Sequence, residues 1–130
     1  MNKGGESGAV GTHKDLEVWK QAVQLAKAVY EFTAGFPASE VLGLVSQMRR
    51  SAVSVPSNIA EGAARNSDKQ FIQFLYVALG SLAELDTQYT LSKELGFTAS
   101  SAEIEKALDR VGKLTMGLVR HLKSKQITNH

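Results

Sequence analysis

Apolar residues recur every three or four positions along most of this chain, which is the period of an amphipathic helix and not of a strand. The pattern predicts four helices. The first spans about 15–34, with Leu16, Trp19, Val23, Ala26 and Tyr30 in one row and Val18, Ala22, Leu25, Val29 and Phe32 in a second. At 100° per residue the rows merge into an arc of about 200°. That width fits a helix flanked by two neighbours in one bundle, or one that also touches a second subunit. Gly35, Phe36 and Pro37 end it. The second helix is expected to start at an N-cap on Ser39, with Glu40 at the positive end of the dipole, and to run to about Arg65. Its apolar side is Val41, Leu44, Val45, Met48, Ala52, Val55, Ile59 and Ala63. Pro56 lies inside it, at a cost of about 3 kcal/mol. The periodicity continues in phase through the proline, so a kinked continuous helix is expected.

A capping box of Ser67 and Gln70 opens the third helix, about 68–95, and Gly96 stops it. Phe71, Leu75, Ala78, Leu82, Leu85 and Tyr89 form its main row, with Ile72, Tyr76, Leu79 and Ala83 beside them. Ala78, Gly80 and Ser81 are the expected point of close approach by a neighbour. Ser100 and Glu103 give a further capping box, before a helix over about 101–123 with Ile104, Leu108, Val111, Leu114, Leu118 and Leu122 inward. Residues 1–13 are Gly-rich and short of large apolar groups, so they are read as a flexible leader. The folded unit is then 14–124, with a frayed tail over 125–130. Short connections between four helices predict an all-α, up-down-up-down four-helix bundle.

Composition narrows the function. The 130 residues are 43% hydrophobic and 22% charged, which is one ordinary globular domain and not a disordered chain. No run approaches the ~18 apolar residues of a membrane span. There is no cysteine, which excludes disulfides, thiolate catalysis and cysteine metal sites and fits a reducing cytoplasm. The histidines are His13, His121 and His130, and none follows an acid by three residues as a di-iron bundle requires. None is central enough for a Ser-His-Asp set. A protein without enzymatic activity, metal or cofactor is therefore expected. The net charge of +2 is uneven: residues 1–100 hold 9 Lys/Arg against 10 Asp/Glu, residues 101–130 hold 6 against 3, and none of the acids follows Asp109.

Two constellations stand out. On the second helix Gln47, Arg50, Ser54, Asn58, Glu61 and Arg65 share a face, and the third helix offers Ser81 and Glu84 opposite. Arg50 and Arg65 are candidate mates for Glu61 and Glu84. The set reads as a hydrogen-bonded network that fixes helix register and covers carbonyls freed by Pro56, or as a ligand pocket around Asn58 and Glu61. On the fourth helix Lys106, Arg110, Lys113 and Arg120 fall on one face over roughly 21 Å. Lys123 and Lys125 are expected to extend its positive end. Such a row can contact several phosphates of a nucleic acid; its plain alternative is a solvated face complementing the helix dipole. No aromatic residues interleave with the cations, so base stacking is not expected.

Particular runs add a resemblance. They are Asp15-Leu16-Glu17-Val18-Trp19, the stretch from Gln47 to Gly62 containing Ser54-Val55-Pro56-Ser57-Asn58-Ile59-Ala60-Glu61-Gly62, then Phe71, Phe74-Leu75, Ala78-Leu79-Gly80-Ser81-Leu82-Ala83-Glu84-Leu85, and Gly96. From Asp15 to Phe97 the chain resembles the bacterial family of four-helix proteins encoded in intervening sequences of 23S ribosomal RNA genes. The fourth helix matches only in general character. The resemblance implies a left-handed bundle, a ring-shaped homopentamer, a second helix that stays helical through its proline, and no established enzymatic activity. A related group, accessory proteins of diversity-generating retroelements, looks like a positively charged pentameric barrel that binds a reverse transcriptase and nucleic acid. The expectation is a self-associating cytoplasmic protein that binds RNA or DNA through Lys106, Arg110, Lys113 and Arg120. The alternative is a protein-interaction scaffold, for example for a polymerase, acting through the first helix or the rim of a ring.

Overall fold

A computed structural model describes residues 12–128, with side chains through 126. Four α-helices carry the chain: α1 (Glu17–Thr33), α2 (Ser46–Ala63), α3 (Asp68–Glu94) and α4 (Ala102–Thr128), and the described residues contain no strand. Both α1 and α3 pack against α2 and α4. Cross-helix contacts join opposite ends. Tyr89, late in α3, meets Ser101 and Glu105 at the start of α4, whereas Asp68 and Tyr76, early in α3, meet Lys125 and Lys123 near its end.

The inner row of α1 is the buried one: Val18, Ala22, Leu25 and Val29 are at most 5% exposed. The outer row, Trp19, Val23 and Ala26, is half-buried, and Tyr30 is exposed. Neighbours on both flanks, α2 and α4, account for much of the width of the apolar arc. Met48, Ala52, Val55 and Ile59 of α2, Leu75, Ala78 and Leu85 of α3, and Ile104 and Val111 of α4 are fully buried. Each large aliphatic among them stabilises the fold by about 1.5–3 kcal/mol.

The ends of the helices differ from the sequence expectation. Thr12 and Asp15 form a reciprocal capping box on a 3-10 turn, His13–Asp15, and the His13 ring stands edge-on to Trp19 at 5.0 Å. Thr12 and His13 therefore belong to the folded unit, not to a leader; residues 1–11 lie outside the described residues. Ser39 is not an N-cap. A 3-10 turn over Ala38–Glu40 is followed by a wide π-type turn, Val41–Val45, and the Glu40 carboxylate accepts the Leu44 N–H at 3.3 Å. A Cβ on Gly43 would stand 3.0 Å from Glu40 Oε1, so glycine leaves room for this cap. The departure from helical backbone falls here, with Gly43 at φ −104 and ψ −113, whereas α2 runs unbroken through the buried Pro56.

Ser101, not Ser100, caps α4, its Oγ accepting the Ile104 N–H at 3.2 Å. The helix continues past residue 124 to Thr128, where fraying was expected, and a Lys125–Asp68 ion pair at 3.3 Å ties this stretch to α3. Gly96, at φ 77, ends α3 as expected. Of the small-residue patch, Ala78 and Ser81 are buried and Ser81 Oγ stands 2.8 Å from Ser54 Oγ of α2, whereas Gly80 has open space around it. A tighter approach is at Gly62, where a Cβ would lie 2.7 Å from Phe74 Cβ and 2.8 Å from Phe71 Cδ1.

Candidate nucleic-acid interface

Inward residues of α4 orient its basic row. With Ile104, Val111, Thr115, Val119 and Leu122 buried, the helical period turns Lys106, Arg110, Lys113 and Arg120 outward, and all four are exposed. Lys113 Nζ lies 3.0 Å from Asp109 Oδ2, but both side chains stand mostly in water, so the pair contributes only a few tenths of a kcal/mol, about 0.3–0.5. Arg110 Nη1 donates to Gln21 Oε1 of α1 at 3.2 Å. Lys106 and Arg120 make no hydrogen bond or ion pair among the described residues. Glu103 and Asp109 flank the upper end of the row, and beyond Asp109 it carries no acid.

Lys123 and Lys125 do not extend the row. Lys123 Nζ donates to the Tyr76 hydroxyl at 2.8 Å and sits 5.3 Å from that ring's centre, and Lys125 pairs with Asp68. Both side chains are held by residues of α3.

The polar stripe divides. Ser54 Oγ and Ser81 Oγ are 2.8 Å apart, and Asn58 Nδ2 donates to the Ser54 carbonyl at 2.8 Å and to Ser54 Oγ at 2.9 Å. These three residues form a small register-fixing cluster between α2 and α3. It leaves the carbonyl freed by Pro56 untouched, because that carbonyl belongs to Ala52. Glu61 pairs only with Arg65, at 2.9 Å on the surface, and Arg65 covers the Phe74 ring at 4.9 Å. Arg50 and Glu84 are exposed and make no hydrogen bond or ion pair among the described residues, so they are not part of the network. They lie roughly 40° and 60° around their helices from Ser54 and Ser81, on the solvent side.

Three features had no clear sequence signal. Tyr89, read as core, joins α3 to α4: its hydroxyl accepts the Ser101 N–H at 2.7 Å and donates to Glu105 Oε2 at 2.6 Å. Burial, followed by the hydrogen bond to Glu105, pushes its pKa up. Arg49 closes the end of α1, its Nε donating to Thr33 Oγ1 at 2.9 Å and its Nη2 to the Tyr30 carbonyl at 3.2 Å, with the guanidinium 4.5 Å above the Tyr30 ring. The third feature is a segregation of surface. Among the described side chains, the exposed large hydrophobic ones are Tyr30, Val41, Leu42, Val53, Tyr76, Val77, Leu91 and Leu95, and none of these is on α4.

Among the described residues, no group of three or more His, Asp or Glu side chains is arranged to hold a metal ion, and no helix is long and apolar enough to cross a membrane. Residues 14–117 match the family described as 23S rRNA-intervening sequence protein, and the chain belongs to that family. No curated protein matches it.

Proposed function

We propose that this chain is a non-enzymatic, cytoplasmic four-helix bundle that self-associates, as a pentamer by the resemblance, and binds the phosphate backbone of RNA or DNA along α4. The observation that carries this reading is the division of the surface. Among the described side chains, the exposed large apolar ones sit on α1 to α3 and the connection between α1 and α2, while four exposed cations line α4 over roughly 21 Å. A protein that buries the first surface against its own copies keeps the second free, and repetition around an assembly multiplies a modest charge. The family description names no partner.

Fluorescence anisotropy with labelled single-stranded RNA and duplex DNA across a salt series tests the reading. Affinity is expected to fall steeply with salt, and replacing Lys106, Arg110, Lys113 and Arg120 together by Gln is expected to abolish it. Unchanged affinity in that variant overturns the assignment. A second reading, a scaffold for a protein partner, is favoured by Leu42, which is 93% exposed at the tip of the π-type turn. A pull-down that survives nuclease treatment and is lost in Leu42→Ser supports that alternative.

A further inference from the structure

The groups left over on α1, α2 and α3 define the self-association more closely, and this inference rests on the reading above. Along α3, Val77, Glu84, Gln88, Leu91 and Leu95 recur at heptad-like intervals on one edge turned away from the core. Val77, Leu91 and Leu95 are 52%, 46% and 54% exposed. Glu84 has no partner among the described residues. A groove between α1 and α2 is lined by Tyr30, Val41, Val45, Arg50 and Val53. Its other cation, Arg49, is held by Thr33 and Tyr30, so Arg50 is the guanidinium left without a mate.

We infer that these surfaces are two halves of one contact: the α3 edge of one copy docks in the α1–α2 groove of the next, and Arg50 pairs there with Glu84. The occupant is a second copy because each surface supplies what the other lacks. With Glu84 set against Arg50, exposed Leu91 and Leu95 fall toward Val41 at one end of the groove and exposed Val77 toward Val53 at the other. A carboxylate and a guanidinium that stay single in one copy neutralise each other across the contact. The two surfaces differ, so the contact is heterologous and builds a ring if its rotation closes.

Sedimentation equilibrium of the full chain tests this with Arg50→Glu, Glu84→Arg, the double charge swap, and Leu95→Glu. All three positions are exposed, and circular dichroism should show unchanged helix content. Each single variant is expected to weaken self-association by about tenfold or more, and the double swap to recover most of that loss. A wild-type assembly that no single variant perturbs overturns the assigned contact and leaves self-association standing. A wild-type chain that stays single at high concentration overturns both. Weakening by the singles without recovery in the swap overturns the Arg50–Glu84 pairing.

Discussion

The Tyr89 hydroxyl donates to the Glu105 carboxylate at 2.6 Å while accepting the Ser101 N–H at 2.7 Å. One side chain late in α3 thus satisfies an amide at the threshold of α4 and holds an acid in that helix's first turn, where it complements the dipole. Lys93 adds to the cluster, 4.4 Å above the Tyr89 ring and 3.7 Å from Glu105. Tyr89→Phe keeps the buried ring but removes both bonds. A loss of about 1–3 kcal/mol is expected in urea unfolding with an unchanged m-value, since a part-buried amide loses its acceptor. A loss near zero would show that water replaces the hydroxyl at no cost.

The same residue predicts an alkaline limit. Burial raises the Tyr89 pKa, and the hydrogen bond and negative charge of Glu105 raise it further. A raised pKa means that the protonated phenol is favoured in the folded state. Its contribution is fully present below the unfolded tyrosine value of about 10 and is lost as pH rises from there through the folded pKa. Stability measured against pH should therefore decline in the alkaline range, and the decline should be shallower in Tyr89→Phe. Parallel curves for the two proteins would refute the linkage.

What was legible in the sequence follows the helical period. Val18, Ala22, Leu25 and Val29, and Lys106, Arg110, Lys113 and Arg120, landed on the sides that their spacing predicts, because burial of an apolar stripe fixes the rotation of a whole helix. The polar stripe was legible only where side chains are short. Ser54, Asn58 and Ser81 meet at the α2–α3 seam, but Arg50 and Glu84, one turn or less away, rotate to the surface. Helix starts were the least legible. The Glu40 cap reaches forward across a π-type turn, a geometry that no simple spacing announces, and competing serines at 100 and 101 differ only in which one the Tyr89 contact positions.

Arg49 is the clearest case of a charge used for structure. Its guanidinium bonds Thr33 Oγ1 and the Tyr30 carbonyl at the end of α1, where a cation also complements the helix dipole. Arg49→Ala is expected to cost about 1.5–3 kcal/mol, the range for hydrogen bonds to a charged group. Arg49→Lys should recover little of it, because an ammonium lacks the planar fork that reaches both acceptors and stacks on Tyr30. Equal stability of the Lys variant and wild type by thermal melting would assign the effect to charge alone.

Two glycines separate packing from propensity. Gly62 lies where α2 presses on α3, and a Cβ there would stand 2.7 Å from Phe74 Cβ and 2.8 Å from Phe71 Cδ1. Phe74 Cβ is fixed to its backbone and cannot move aside, so the helices must part. Gly62→Ala is expected to destabilise by about 1–3 kcal/mol despite alanine's better helix propensity. Gly80 sits in the interior of α3, exposed and with nothing within 4 Å of a Cβ position, so only propensity acts. Gly80→Ala should stabilise by about 0.5–1 kcal/mol. Urea unfolding of the two variants side by side gives opposite signs if the α2–α3 approach is as close as described. Stabilisation by both would mean that the helices stand further apart at Phe74.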